Sequence, residues 1–252
     1  LSGNLNFPRR IHTTYFNTAV MPVQKNFVHS VRQALTELGI RSHLFFLKAD
    51  GGTYPASATD RYPVETILSG PAASMMGGLA LCSDPSVTTL VLDIGGTTTD
   101  IGVLIDGVPI LEPRGVSIGG LKTLVRGLKV VSVGAGGDSC VTLAGGEITV
   151  GPHRDGPPAS LGGLSPTPMD ALAVLGEFPL GDREKAFNAL APVAQGLGRD
   201  IEDVSREIVT IMVRNIRKSA FEFIDEVNSH PVYTIYEMLH PEIVVPGQLL
   251  VI

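Results

Sequence analysis

The sequence has only two cysteines, no run of lysine or arginine, and no uninterrupted apolar stretch of membrane-spanning length. Each scarcity excludes something. Cys82 and Cys140 lack metal-ligand spacing and make no disulfide framework, so a reducing cytoplasm is the simplest setting and both read as small buried apolar residues. A formal charge of -6 without basic clusters argues against nucleic acid or an anionic membrane surface as main partner, because both reward grouped cations. The missing apolar span and missing signal-peptide pattern point away from a membrane protein. None of His12, His29, His43, His153, His230 and His240 forms an i, i+4 pair, so no dedicated zinc site is expected. Ser69 lies outside any G-x-S-x-G elbow and reads as a helix cap.

What is present fits an ordinary globular chain: 252 residues, 44% hydrophobic and 17% charged, enough for one large domain or two small ones. It starts "LSGNLNFPRR" without Met and ends "PGQLLVI" inside an apparent strand, so we read it as a fragment of a longer chain. The N-terminal third alternates helical and strand patterns. "TTYFNTAVMPVQKNFVHSVRQALTELGI" has apolar residues at helical spacing and ends on Gly39. "HLFFLKADGG" reads as a strand, "YPVETILSGPAASMMGGLALC" as a helix with Pro71 in its first turn, and "TTLVLD" as a strand. Such alternation predicts a layered α/β sheet. From 108 to 165 the chain is glycine-rich and short-stranded, predicting hairpins or a backbone that approaches something closely. Helices follow, one capped by Asp182 and another keeping Ile201, Val204, Ile208, Ile211, Ile216 and Phe221 near one face.

The most informative stretch is "VLDIGGTTTDIGVLIDGVPI", residues 91–110. It reads as strand, tight turn, strand, with a second turn at Asp106-Gly107. Gly95 and Gly96 allow consecutive backbone N–H groups to converge on a phosphate chain, and Thr97, Thr98 and Thr99 add hydroxyl donors. Asp93 and Asp100 at the two ends would repel bare phosphate, so they make sense there if a cation such as Mg2+ or its water shell intervenes. The bare Gly-Gly-Thr triplet would fit a β-turn flanked by solvated carboxylates, but the complete string favours nucleotide binding.

"LDIGGTTTDIGVL" resembles a phosphate hairpin of the actin-like ATPase superfamily. Together with "YPVETILSGPAAS", "VGAGGDS" and "TPMDALAVLG", in that order, it resembles the hydantoinase/oxoprolinase family, specifically its hydantoinase A-type ATPase chain. The resemblance implies a ribonuclease H-like lobe over residues 1–252. It is the second of two phosphate-binding lobes, lacking the family's N-terminal hairpin and terminal adenosine motif. It further implies ATP and Mg2+ as cofactors and a hydantoinase B-type subunit or domain as partner. The activity implied is ATP-driven opening of a cyclic amide such as a hydantoin or 5-oxoproline, with catalytic residues unassigned. An ATPase component of a carboxylase and a non-catalytic actin-like module remain as alternatives.

Position by position, Asp93, Gly95, Gly96, Thr97 and Thr98 match the phosphate hairpin, Asp100 the acidic residue closing it, and Gly134, Gly136 and Gly137 a glycine turn. Asp138 stands where relatives often carry another glycine. It is expected either to hold a cation or, the favoured reading, to cap a neighbouring backbone N–H, with Ser139 suiting such a turn. "GPHRDGPPASLGG" lacks a cysteine found in many relatives, which leaves the substrate open. His153, Arg154 and Asp155 form one polar cluster there, either touching ligand or simply solvated.

Overall fold

The computed structural model describes residues 6–229, 232–234, 239–240 and 243–252; His230 lies outside them. The first half of the chain runs α1 (Phe7–Glu37), β1 (Phe45–Leu47), β2 (Thr53–Pro55), α2 (Ala56–Thr59), α3 (Ser69–Leu81), β3 (Thr89–Ile94), β4 (Thr99–Ile105), β5 (Val108–Leu111), β6 (Ser117–Ile118) and β7 (Leu121–Lys122). It continues through β8 (Val130–Val133), β9 (Val141–Ala144), β10 (Glu147–Val150), α4 (Pro168–Leu175), α5 (Arg183–Leu197), α6 (Ile201–Asn228), β11 (Val232–Thr234), β12 (Leu239–His240) and β13 (Gln248–Val251). The largest sheet has the order β12-β11-β5-β4-β3-β13, with β8 also pairing with β4. The expected α/β alternation is present.

Contacts divide the chain into two units, 1–91 with 102–130 and 227–250, and 92–101 with 131–226 and 251–252. In the first unit, α1 starts earlier than its apolar pattern predicts, because the Asn6 side chain accepts from the Arg9 N–H at 3.2 Å and Pro8 suits a first turn. The apolar positions of α1 are not a core face: Phe7, Ile11, Tyr15, Val23 and Phe27 are exposed, and only Thr13, Asn17 and Val28 are buried. The core gathers instead around Ala72 and Met75 of α3 with Val91, Leu104, Leu111 and Leu128. Ser69 does not cap α3. The cap position falls on Leu68, in the left-handed region at φ 67°, with no side-chain bond. The Asp106-Gly107 turn joins β4 to β5 with both residues at positive φ, 50° and 68°, as a two-residue hairpin requires.

In the second unit, β9 and β10 form the expected glycine-linked hairpin, pairing Val141 with Val150 and Ala144 with Glu147. Asp182 caps α5, accepting from the N–H groups of Glu184 and Lys185. The buried stripe of α6 is Val204, Ile208, Met212, Ile216, Ala220 and Phe223, a nearly regular four-residue step. Phe221 is 60% exposed, since it sits one residue off that stripe.

Asp170 is fully buried and anchors the loop before α4. Its Oδ2 accepts from the N–H groups of Ala159 and Thr167, both at 3.0 Å, and from the Thr167 hydroxyl at 2.9 Å, while Oδ1 accepts from the Ser160 N–H at 2.8 Å. The Thr167 hydroxyl in turn accepts from the Asp170 N–H, completing a capping box. Asp170→Ala would leave those buried donors without an acceptor, and should lower the stability of the full-length protein by about 3 kcal/mol or more. Asp170→Asn, which keeps one acceptor oxygen, should cost clearly less in the same urea denaturation series.

Candidate phosphate-binding site

β3 delivers Asp93 and β4 begins at Thr99, so the glycine–threonine run forms the turn between them. The Gly95 N–H donates to the Thr98 carbonyl at 2.9 Å and closes it. A second turn, at residues 134–139, is bonded to the first through the backbone. The Gly137 N–H donates to the Gly95 carbonyl at 3.0 Å, the Asp138 N–H to the Gly96 carbonyl at 2.7 Å, and the buried Thr99 hydroxyl to the Ala135 carbonyl at 2.6 Å. A Cβ on Gly136 would lie 2.5 Å from the carbonyl oxygens of both Gly95 and Gly96, so only glycine permits this approach. Gly134 lies against Pro152, where a Cβ would come within 2.7 Å of the proline ring.

These contacts consume carbonyls of the hairpin turn and leave its donors over. Among the described residues, no acceptor pairs with the N–H groups of Gly96, Thr97 or Thr98. Gly95 and Thr97 are exposed, and Gly96 and Thr98 half-buried. The result is a turn whose N–H donors are left without acceptors among the described residues, an arrangement suited to an anion.

Asp138 is not the local cap that its turn suggested. Ser139 supplies the local cap, its buried hydroxyl accepting from the Gly136 N–H at 3.0 Å. The Asp138 carboxylate pairs with the Arg154 guanidinium at 2.6 Å and occupies the space that a Cβ on Gly96 would need. The same guanidinium donates to the Thr97 hydroxyl at 3.0 Å and to the Gly156 carbonyl at 3.2 Å. Arg154 thus joins the Gly/Pro loop to the hairpin, a part the sequence did not assign to it. The available signal was the unexplained carboxylate in "VGAGGDS", which implied a cation, and the nearest candidate was an arginine in the loop already singled out.

Asp93 and Asp100 lie close enough to feel one another. Burial pushes the Asp100 carboxyl above its ordinary value, a hydrogen bond from the Ser132 hydroxyl partly offsets this, and the Asp93 charge raises it further. Two neighbouring carboxylates, one of them half-buried, form a place that a hard divalent cation would neutralise.

Comparisons with known proteins give one family model and several more distant likenesses. The family model described as hydantoinase/oxoprolinase matches residues 10–232. The alpha subunit of caprolactamase from Pseudomonas jessenii is 28% identical over 247 residues, which cover 88% of this chain and 35% of that protein. The crystal structure of ATP-dependent caprolactamase from the same organism superposes with a TM-score of 0.61 at 26% identity, over 84% of this chain and 33% of its own. The nucleotide-free structure of acetone carboxylase, from work on ATP-dependent acetone carboxylation, gives a TM-score of 0.76 at 22% identity, over 88% and 33%. The chain therefore spans about a third of the length of these relatives. Among the described residues, no helix is long and apolar enough to cross a membrane.

The raised carboxyl of Asp100 has a consequence for stability. A carboxyl whose folded value lies above its unfolded value binds protons more tightly when folded, so its contribution is present at low pH and lost as pH rises through the folded value. At neutral pH the Asp100 charge is a cost. Asp100→Asn should melt at a higher temperature than the parent protein at pH 7 without divalent cations. The gain should vanish as pH falls below the ordinary carboxylate range, read from melting temperature against pH.

Proposed function

The chain belongs to the hydantoinase/oxoprolinase family, and on that premise we propose that its glycine–threonine hairpin holds the phosphate chain of ATP in an enzyme that opens the ring of a cyclic amide. The observation that carries the reading is the set of turn N–H groups at Gly96, Thr97 and Thr98 without an acceptor among the described residues, next to the Arg154 guanidinium. A donor row of this kind beside a cation suits a polyanion better than it suits any neutral ligand.

The residues fit the groups assigned to them. Asp93, Gly95, Gly96, Thr97 and Thr98 form the hairpin end of the ATP site, and Asp93 with Asp100 would hold Mg2+. Gly134, Gly136 and Gly137 serve that site from behind, since the Gly137 N–H is already bonded to the hairpin and Gly136 is the point of closest approach. ATP, when bound, supplies the phosphoryl group that activates an amide carbonyl otherwise protected by resonance. The chain's own contribution is positioning: turn donors fixed before the ligand arrives need no reorganisation to meet developing charge. Three N–H groups of Arg154 are engaged by Asp138, Thr97 and Gly156, and the rest remain for an anionic oxygen.

The substrate class follows the relatives. Caprolactamase acts on a lactam by its name, and the alpha subunit of that enzyme is the curated relative matched here. We place this chain as one ribonuclease H-like lobe of an actin-type ATPase, completed by a second lobe and by a hydantoinase B-type subunit or domain. The likeness to acetone carboxylase is one of fold, so carboxylation enters as an outcome of the test.

ADP release by the complete enzyme should be measured with hydantoin, 5-oxoproline, caprolactam, and acetone with bicarbonate. Release in step with ring opening of a cyclic amide is expected. Release with acetone and bicarbonate alone would refute the cyclic-amide assignment. Asp93→Ala should remove turnover, and Arg154→Ala should lower kcat/KM for ATP at least about tenfold, or about 1.4 kcal/mol. Unchanged kinetics in both variants would refute the phosphate site itself.

A further inference from the structure

Outside the hairpin, one cluster of metal-competent side chains stands in the second unit. Cys140 Sγ, a ring nitrogen of His153 and a carboxylate oxygen of Asp155 all lie within 4.8 Å of one another. Cys140 is buried at the end of the second glycine turn, and its N–H donates to the His153 carbonyl at 2.8 Å, which ties the loop backbone to it. His153 Nε2 and Asp155 Oδ1 are 2.6 Å apart, and the Ser165 hydroxyl donates to Asp155 Oδ2. His153 and Asp155 therefore face Cys140, whereas Arg154 between them reaches Thr97 and Asp138.

We propose that Cys140, His153 and Asp155 form a binding site for a divalent transition metal of the zinc class, separate from any magnesium at the hairpin. Sulfur, imidazole nitrogen and carboxylate oxygen are the donors zinc takes, and thiolate disfavours the hard cations Mg2+ and Ca2+. Tetrahedral zinc places its ligand atoms roughly 3.3–3.7 Å apart, so the three groups close in slightly around sulfur while His153 and Asp155 move apart. Ser165 holds the far carboxylate oxygen and so orients the near one, the usual arrangement behind a metal ligand. Among the described residues, no lysine or arginine is paired with Asp155. On binding, the thiol proton leaves to solvent as the metal–sulfur bond forms. Thiolate and carboxylate then balance the dication, with His153 neutral and a fourth position open to water from the exposed side.

The site would pin both residues that flank Arg154, and with them the arginine that meets the hairpin. Spacing alone does not reveal it, because Cys140 and His153 are brought together by the β9–β10 hairpin rather than by a short ligand motif.

The test is cobalt and zinc titration of the full-length chain. One equivalent of Co2+ should give a thiolate-to-metal charge-transfer band and the intense visible bands of four-coordinate cobalt. Cys140→Ser should remove the charge-transfer band, and Cys82→Ser should leave it. His153→Ala and Asp155→Asn, both changes at exposed positions that spare the core, should weaken Zn2+ binding at least about tenfold in competition with a chromophoric chelator. A parent protein without the band, a band that survives Cys140→Ser, or undiminished Zn2+ affinity in His153→Ala would overturn the assignment.

Discussion

Two backbone hydrogen bonds, from Gly137 to the carbonyl of Gly95 and from Asp138 to the carbonyl of Gly96, set the geometry on which the candidate site depends. Each is worth only about 0.5–1.5 kcal/mol net. Their effect is on shape rather than on overall stability. They draw one glycine turn against another until Gly136 closes on two carbonyl oxygens, they engage those carbonyls, and they leave the N–H groups of Gly96, Thr97 and Thr98 without acceptors among the described residues. The Thr99 hydroxyl reinforces the same contact from the base of β4 through Ala135. A phosphate chain arriving there would meet a surface already ordered, and the cost of ordering it has been met during folding.

Charge follows from that contact. With its N–H bound to Gly96, Asp138 holds its carboxylate beside the hairpin, where it would oppose any anion. Arg154 converts this liability into a support, pairing with Asp138 and reaching Thr97 from the same guanidinium. On the other flank, Asp93 stands beside Asp100, whose own charge burial makes expensive. One side of the turn thus presents a fixed cation and the other a demand for one, the polarity expected of a site for a polyphosphate with its metal.

The hairpin was legible in the sequence because its signal is local. Glycine pairs, consecutive threonines and flanking carboxylates declare a tight turn whatever surrounds it, and the Asp106-Gly107 and β9–β10 turns were legible for the same reason. Asp182 declared itself as a cap. What escaped was whatever depends on distant segments meeting. Asp138 and Arg154 are sixteen positions apart, and no periodicity links them. The apolar residues of α1 recur at helical spacing yet are mostly exposed, because periodicity gives the direction of a face without saying whether anything covers it. Phe221 failed for a smaller reason: a four-residue step in α6 drifts around the helix, and the stripe had moved to Ala220 and Phe223 by that turn. The buried Asp170 lay inside a recognised motif, yet its role as acceptor for Ala159, Ser160 and Thr167 emerges only once the preceding loop folds over it.

Amide hydrogen exchange of the complete enzyme, with and without Mg-ATP, tests the account most directly. The N–H groups of Gly137 and Asp138 should exchange slowly in both states, since they are bonded to the hairpin before any ligand binds. Those of Gly96, Thr97 and Thr98 should exchange fast in the free enzyme and become protected on nucleotide binding. Rapid exchange at Gly137 and Asp138, or unprotected hairpin amides under saturating Mg-ATP, would contradict it.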